Sequence, residues 1–377
     1  MNTSTLPCQS SLPPNEGEQI VAVVGAFGRS RRNSSLELLR IICILLILAN
    51  HYSVLGGIPA RGWRDLTWGY FFVQSIGMFG RTACSVFVLI TGYYLSTGVK
   101  PGHWKKAIPL AAEAVFYSST AFLVLCALGF RTFSPKGILL ALVPFIGGNI
   151  WFVTNYIVFW FAIPFLNPMV AALSKRQHQG LLVFFGVFWC LLPTFSTKAI
   201  SFGWTFGELD FFLVMYLAGS YLRRFAPHER WHNRWNGLGA LFCFVLMVLS
   251  VAAMDLLGLW LRKDALVSHA VHFLSFYSVL SVPLAVSAFC FFSRLSFSNR
   301  AIDLIAKSVL GIYLLHMQLT HLVWQRLSPN ALHVDTPYFH AIAKISLLFL
   351  FCLAVDLLRH FTVGRLGRNL LHRFRLD

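Results

Sequence analysis

SSLELLRIICILLILANHYSVLGG, residues 34–57, decides how the whole chain is read. Its apolar length matches one crossing of a bilayer, which takes about 20 residues. Yet it carries Glu37, Arg40, Asn50 and His51. Ionisable groups are costly at membrane depth, so such residues face protein or water rather than lipid. On a helix the eleven steps from Arg40 to His51 turn through about 1,100°, some 20° beyond three full turns, and rise roughly 16 Å. The two side chains therefore share a face. Glu37, one turn before Arg40, belongs to the same stripe and can pair with it. A snorkelling pair at the membrane interface is one reading of Glu37 and Arg40. A hydrogen-bonded packing residue is the corresponding reading of His51. The chemical alternative is that a neutral imidazole at that depth serves as a general base.

The remainder of the chain repeats the apolar pattern. Of 377 residues, 57% are hydrophobic and 12% charged, and the mean hydropathy is +0.66. A soluble domain carries about twice that share of charge. Continuous apolar runs, rather than the alternation of a membrane β-barrel, predict an all-α polytopic membrane protein with about ten transmembrane helices. Their limits fall near 36–56, 70–96, 106–130, 150–171, 179–196, 207–223, 236–258, 267–292, 302–325 and 338–361. GILLALVPFIGG, residues 137–148, is too short to cross and is broken by Pro144 and a glycine pair. It reads as a re-entrant or surface helix. With the N-terminus inside, the inner segments hold twenty Lys and Arg and the outer loops eight. That bias predicts both termini on the cytoplasmic side.

The expected organisation is a flexible cytoplasmic tail (1–33), a ten-helix membrane domain (34–361) and a basic cytoplasmic C-terminal tail (362–377). The tail is polar before it is basic, the reverse of a signal peptide's order. The net charge of +17 is accounted for by topology and anionic lipid, and no basic segment resembles a nucleic-acid module. Seven of the eight cysteines lie in apolar runs without paired spacing, as small buried hydrophobes do.

Further polar groups punctuate the spans. Arg81 sits inside the second, where it needs an anion, carbonyls or water. Thr91-Gly92 near that span's other end suits close helix contact. His103, Lys105 and Lys106 stand before the third span, either as topology charges or as a phosphate site, with Glu113 one turn further in as a partner. Asn149, Thr154 and Asn155 open the fourth. Tyr313, His316 and Gln318 lie together in the ninth, suggesting a hydrated or protein-lined cavity. No soluble-enzyme motif occurs, and the scattered His and Asp residues lack zinc spacing, so no metal is expected.

RRNSSLELLRIICILLILANHYSVLGG resembles the first helix of the membrane-bound acyltransferase 3 family, in the branch that modifies surface polysaccharides. SVFVLITGYYLS, IWFVTNYIVFWFAIPFLNPMV and SVLGIYLLHMQ resemble later segments in the same order. The resemblance covers roughly residues 31–361. It implies ten core helices and transfer of acyl groups, usually acetyl, from cytosolic acyl-CoA to a hydroxyl of a polysaccharide or lipid-linked oligosaccharide in a bacterial inner membrane. Acetyl-CoA would be a co-substrate, with no tightly bound cofactor. The first-helix histidine, arginine and acidic residue of the family match His51, Arg40 and Glu37, the catalytic candidates. The family's basic motif before the third helix aligns only loosely with His103-Trp-Lys-Lys106, the candidate acyl-CoA site. Arg81, Tyr313 and His316 are candidates for an oxyanion site or acceptor cavity. A glycan flippase using the same polar residues without covalent chemistry is the competing class.

Overall fold

The computed structural model describes residues 33–55, 62–98, 103–148, 150–195, 208–230, 232–271, 278–326 and 337–373. Residues 1–32 and Asn149 lie outside them. Among the described residues the regular structure is helical and no strand occurs. The helices that matter for the site are α1 (Ser34–Leu55), α2 (Trp68–Gly77), α3 (Gly80–Leu95), α4 (Ala107–Ala127) and α5 (Pro135–Leu142). They continue with α6 (Trp151–Ala172), α7 (Lys175–Phe195), α8 (Glu208–Phe225) and α9 (Asn233–Leu261). The last four are α10 (Ser281–Ser293), α11 (Arg300–Lys307), α12 (Val309–Thr320) and α13 (Pro337–Arg373).

Seven of the helical stretches described are long and apolar enough to cross a membrane. They are α1, α2 with α3, α4 with the short turn before it, α6, α7, α9 and α13. The pair α11–α12, bent by 45°, brings the number to eight. Two expected spans differ. The sixth is present as α8, but Glu208, Asp210, Arg223 and Arg224 at its ends dilute its apolar character. The eighth is visible as the 13-residue α10, with residues 272–277 outside those described. The segment 137–148 is helical only through Leu142, as part of the short helix α5, and turns at Pro144. The last helix runs on to Arg373, beyond the limit expected at 361.

The bundle is organised around α1, which packs against α2, α3, α10, α11, α12 and α13. That explains a helix apolar nearly all round, with little left to meet lipid. Asn33 caps its start: Oδ1 accepts the Ser35 backbone N–H at 3.2 Å, and Nδ2 donates to the Leu295 carbonyl at 2.8 Å. Capping of this kind satisfies amides that the helix itself leaves free. The second predicted span is broken at Met78–Phe79. There Asn50 Nδ2 of α1 donates to the Gly77 carbonyl at 2.6 Å, meeting an acceptor that lipid would leave unsatisfied. Gly92 fulfils the expectation of close contact. A Cβ there would collide with the Tyr216 carbonyl of α8, and one on Gly219 would collide with Leu89 of α3. Small residues on both sides let these backbones touch.

Candidate active site

The stripe on α1 keeps the geometry its periodicity predicted. Glu37, Arg40, Ile44 and Ile47 line one cavity of about 820 Å³, and Ile47 and His51 line another of about 400 Å³. At the N-terminal end Arg40 Nη1 donates to Glu37 Oε2 at 2.7 Å, the pairing expected for residues three apart. The larger cavity is mostly apolar, with a hydroxyl pair, Thr91 Oγ1 and Tyr156 Oη, 2.8 Å apart within its wall.

At the other end, His51 meets His316. Nδ1 of His51 lies 2.8 Å from Nε2 of His316, with the rings stacked at 5.1 Å. Nδ1 of His316 lies 2.9 Å from the Ile312 carbonyl, one turn back on α12. A carbonyl only accepts, so His316 Nδ1 carries the hydrogen. With both rings neutral, as burial favours, His316 Nε2 is an acceptor and His51 Nδ1 donates to it. The network therefore assigns the lone pair of His51 to Nε2, in the ring that lines the smaller cavity. Tyr52, the next residue, is held as well: its hydroxyl is 3.0 Å from His340 Nδ1 of α13, and its ring meets Trp324 edge-on. Neighbours on two other helices thus fix the end of α1.

Ile47 and Tyr313 belong to the walls of both cavities. Tyr313 is buried, stands edge-on to His316 at 5.6 Å, and its hydroxyl makes no hydrogen bond of ordinary geometry among the described residues. Arg81 lines the smaller cavity together with Trp151 and Glu208. The structure thus gathers His51, Tyr313 and Arg81 around one space, with His316 buried against His51, and Glu37 and Arg40 around the adjoining one.

The third group of candidates is placed differently. His103 is buried, its ring stacked on Trp160 at 4.3 Å, and its carbonyl accepts Trp160 Nε1 at 3.0 Å. It lines neither cavity. Lys105 and Lys106 are exposed. Leu110, one turn past Lys106, reaches the larger cavity. Glu113 does not pair with this cluster; it binds Arg359 of α13 at 2.8 Å. Sequence alone could not have matched those two helices.

Two residues were missed. Glu208, at the start of α8, enters the His51 cavity and accepts from Asn155 Nδ2 at 2.5 Å. An acid closing an apolar run beside a polar span mouth was the available signal. Arg223, at the other end of α8, lies over the Tyr93 ring at 5.2 Å, next to Tyr94 of the larger cavity. Its neighbour Arg224 is committed elsewhere, donating to the Val170, Ala171 and Leu173 carbonyls at the C-terminus of α6.

A family profile described as an acyltransferase domain, Acyl_transf_3, matches residues 33–357. Neither a curated protein nor a solved structure gave a significant match. The profile takes in every helix that lines the two cavities, from the Asn33 cap of α1 to most of α13. With its bundle of apolar helices, this chain belongs to the acyltransferase 3 family of membrane acyltransferases.

Proposed function

We propose that the protein is an O-acyltransferase of a bacterial inner membrane. It would move an acetyl or other acyl group from cytosolic acyl-CoA to a hydroxyl of an exopolysaccharide, an O-antigen or its lipid-linked repeat unit. Ten spans with both termini in the cytoplasm fit the charge bias. The observation that carries the reading is the contact of His51 Nδ1 with His316 Nε2, which leaves the other nitrogen of His51 as a base on a cavity.

In this reaction the donor enters at the Glu37–Arg40 end and lays its acyl arm along the larger, apolar cavity. The acceptor hydroxyl sits in the smaller one, and the thioester meets it at the Ile47–Tyr313 partition. His51 Nε2 takes the hydroxyl proton as the oxygen attacks the thioester carbonyl. The carbon–sulfur bond breaks, and the imidazolium returns the proton to the leaving thiolate. In the two-step form, Nε2 itself attacks and the acyl-imidazole is then transferred to the hydroxyl. Arg81 or the free hydroxyl of Tyr313 supplies a donor to the oxyanion. Holding His51 through His316 sets its tautomer, a role a partner residue plays wherever one imidazole nitrogen must stay bare.

Purified protein given labelled acetyl-CoA and the host's lipid-linked glycans tests this. Label on the glycan, or on His51 in the protein, is the expected result. Glycan translocation in vesicles with no label transferred would establish the flippase instead.

A further inference from the structure

Behind the helix that carries His316 lies a second polar site. A cavity of about 310 Å³ opens between α4, the loop that follows it, α5 and α12. Arg131 and Lys136 stand on its rim, and no acidic residue lines it. Neither cation meets a carboxylate among the described residues. Its floor holds Gln318 of α12 and Ser118 of α4, only 8% and 5% exposed. Neither side chain is hydrogen-bonded to a described residue, and both line the cavity. An amide without a protein partner costs about 1–3 kcal/mol unless water or a ligand meets it, so one that opens onto a basic pocket suits a polar ligand. We propose that this cavity binds the phosphate of a lipid.

Charge and surroundings select that class. Two cations and neutral donors suit a phosphate oxygen cluster. The pocket sits among strongly exposed apolar side chains, Phe133, Leu139, Leu142 and Ile146, at 65%, 56%, 55% and 71%. They offer a path for hydrocarbon chains that a water-soluble phosphate would not use. α5 is pinned over the site by Ser119 Oγ donating to the Ala141 carbonyl at 3.1 Å. Position adds a consequence. Gly147 lines this pocket, and Gly148, in the left-handed region at φ 71°, lines the His51 cavity. Gln318 follows His316 by two residues, about 200° around the helix, so one helix presents the imidazole on one side and the phosphate site on the other. A lipid-linked glycan held by its phosphate here has its sugar beside His51. A bilayer phospholipid would use the same contacts. The phosphate site rests on its own lining and does not depend on the acyl-transfer reading.

The test is native mass spectrometry of the purified protein with three probes: dioleoyl phosphatidylglycerol, undecaprenyl phosphate and phosphate-free dioleoylglycerol. Retention of either phosphate lipid but not of dioleoylglycerol is expected. The R131Q/K136Q variant should lose roughly tenfold in apparent affinity, and Q318L, which keeps both charges, a smaller factor. The R262Q/K263Q variant, altered at an exposed basic pair outside the pocket, should bind as the parent does. Unchanged binding by R131Q/K136Q overturns the site, and so does an equal loss in R262Q/K263Q. Full displacement by inorganic phosphate at concentrations matching the lipid makes it a small-anion site and overturns the lipid assignment. Tighter retention of undecaprenyl phosphate identifies the carrier lipid, and tighter retention of phosphatidylglycerol a bilayer lipid; both uphold the proposal. Because binding is read directly, failure of acyl transfer leaves the result standing.

Discussion

Two buried polar clusters lie in this bundle, and they are built on opposite principles. Around Asp356 of α13, ion pairs and hydrogen bonds tie one helix to another. Asp356 is fully buried, and its Oδ1 accepts from the Tyr117 hydroxyl at 2.5 Å and from Arg359 Nη2 at 2.8 Å. Its Oδ2 lies 3.2 Å from His360 Nε2, without a hydrogen bond of ordinary geometry among the described residues. Arg359 reaches back to Glu113 of α4. A Cβ on Gly311 would collide with Asp356, so α12 approaches this cluster at a glycine. None of the four, Tyr117, Glu113, Asp356 or Arg359, lines either cavity at α1. Around His51 the pairing is incomplete. One nitrogen is held by His316, the other has no hydrogen-bond partner among the described residues, and the space beside it is a cavity. A network set away from the cavities joins helices, whereas an unpaired group on a cavity is where a substrate makes the missing bond.

The strongest way to break that contrast is at His51. His51→Gln should lower acyl transfer by about 10²–10⁴-fold, the range of a lost general base, with the melting temperature in detergent nearly unchanged. Full activity in a well-inserted H51Q protein would remove the catalytic role. Arg359→Gln should do the opposite. Leaving the Asp356 carboxylate without its cation costs about 3–5 kcal/mol, read as lowered melting temperature and yield, while protein that remains folded keeps its turnover. A selective loss of turnover at normal stability would put the network in the mechanism.

His316 sharpens the comparison further. His316→Asn can still offer an oxygen to His51 Nδ1–H, whereas His316→Leu cannot. Turnover should differ between the two by roughly tenfold or more, with similar melting temperatures; equal rates would mean that His316 only fills space. The smallest effect is expected for Tyr117→Phe. It removes one hydroxyl donor from Asp356 and should cost about 1–2 kcal/mol of stability, with no change in KM for acyl-CoA.

Much of this was legible before any fold was known. The apolar runs announced the helices, and Thr91-Gly92 announced a tight contact that α8 supplies through Gly219. The 3.6-residue period placed Glu37, Arg40 and His51 on one stripe, and the cavities follow it. Where sequence reasoning strayed, the cause was always a partner far along the chain. Glu113 pairs with Arg359, 246 residues on, rather than with the nearby Lys106. His103 stacks its ring on Trp160, 57 residues along the chain.

What the sequence by itself determined is therefore the class of molecule and the azimuth of each polar group on its own helix. A bilayer requires continuous apolar spans, and helix geometry ties spacing to face. Only the tertiary structure decided which faces meet. The choice of His316, 265 residues from His51, as the holder of its tautomer, and the opening of Gln318 onto a basic pocket behind it, depend on how helices pack against one another. In a chain of mutually similar apolar helices, that pairing is set by side-chain shape and buried hydrogen bonds distributed over the whole bundle, which no single stretch of residues contains.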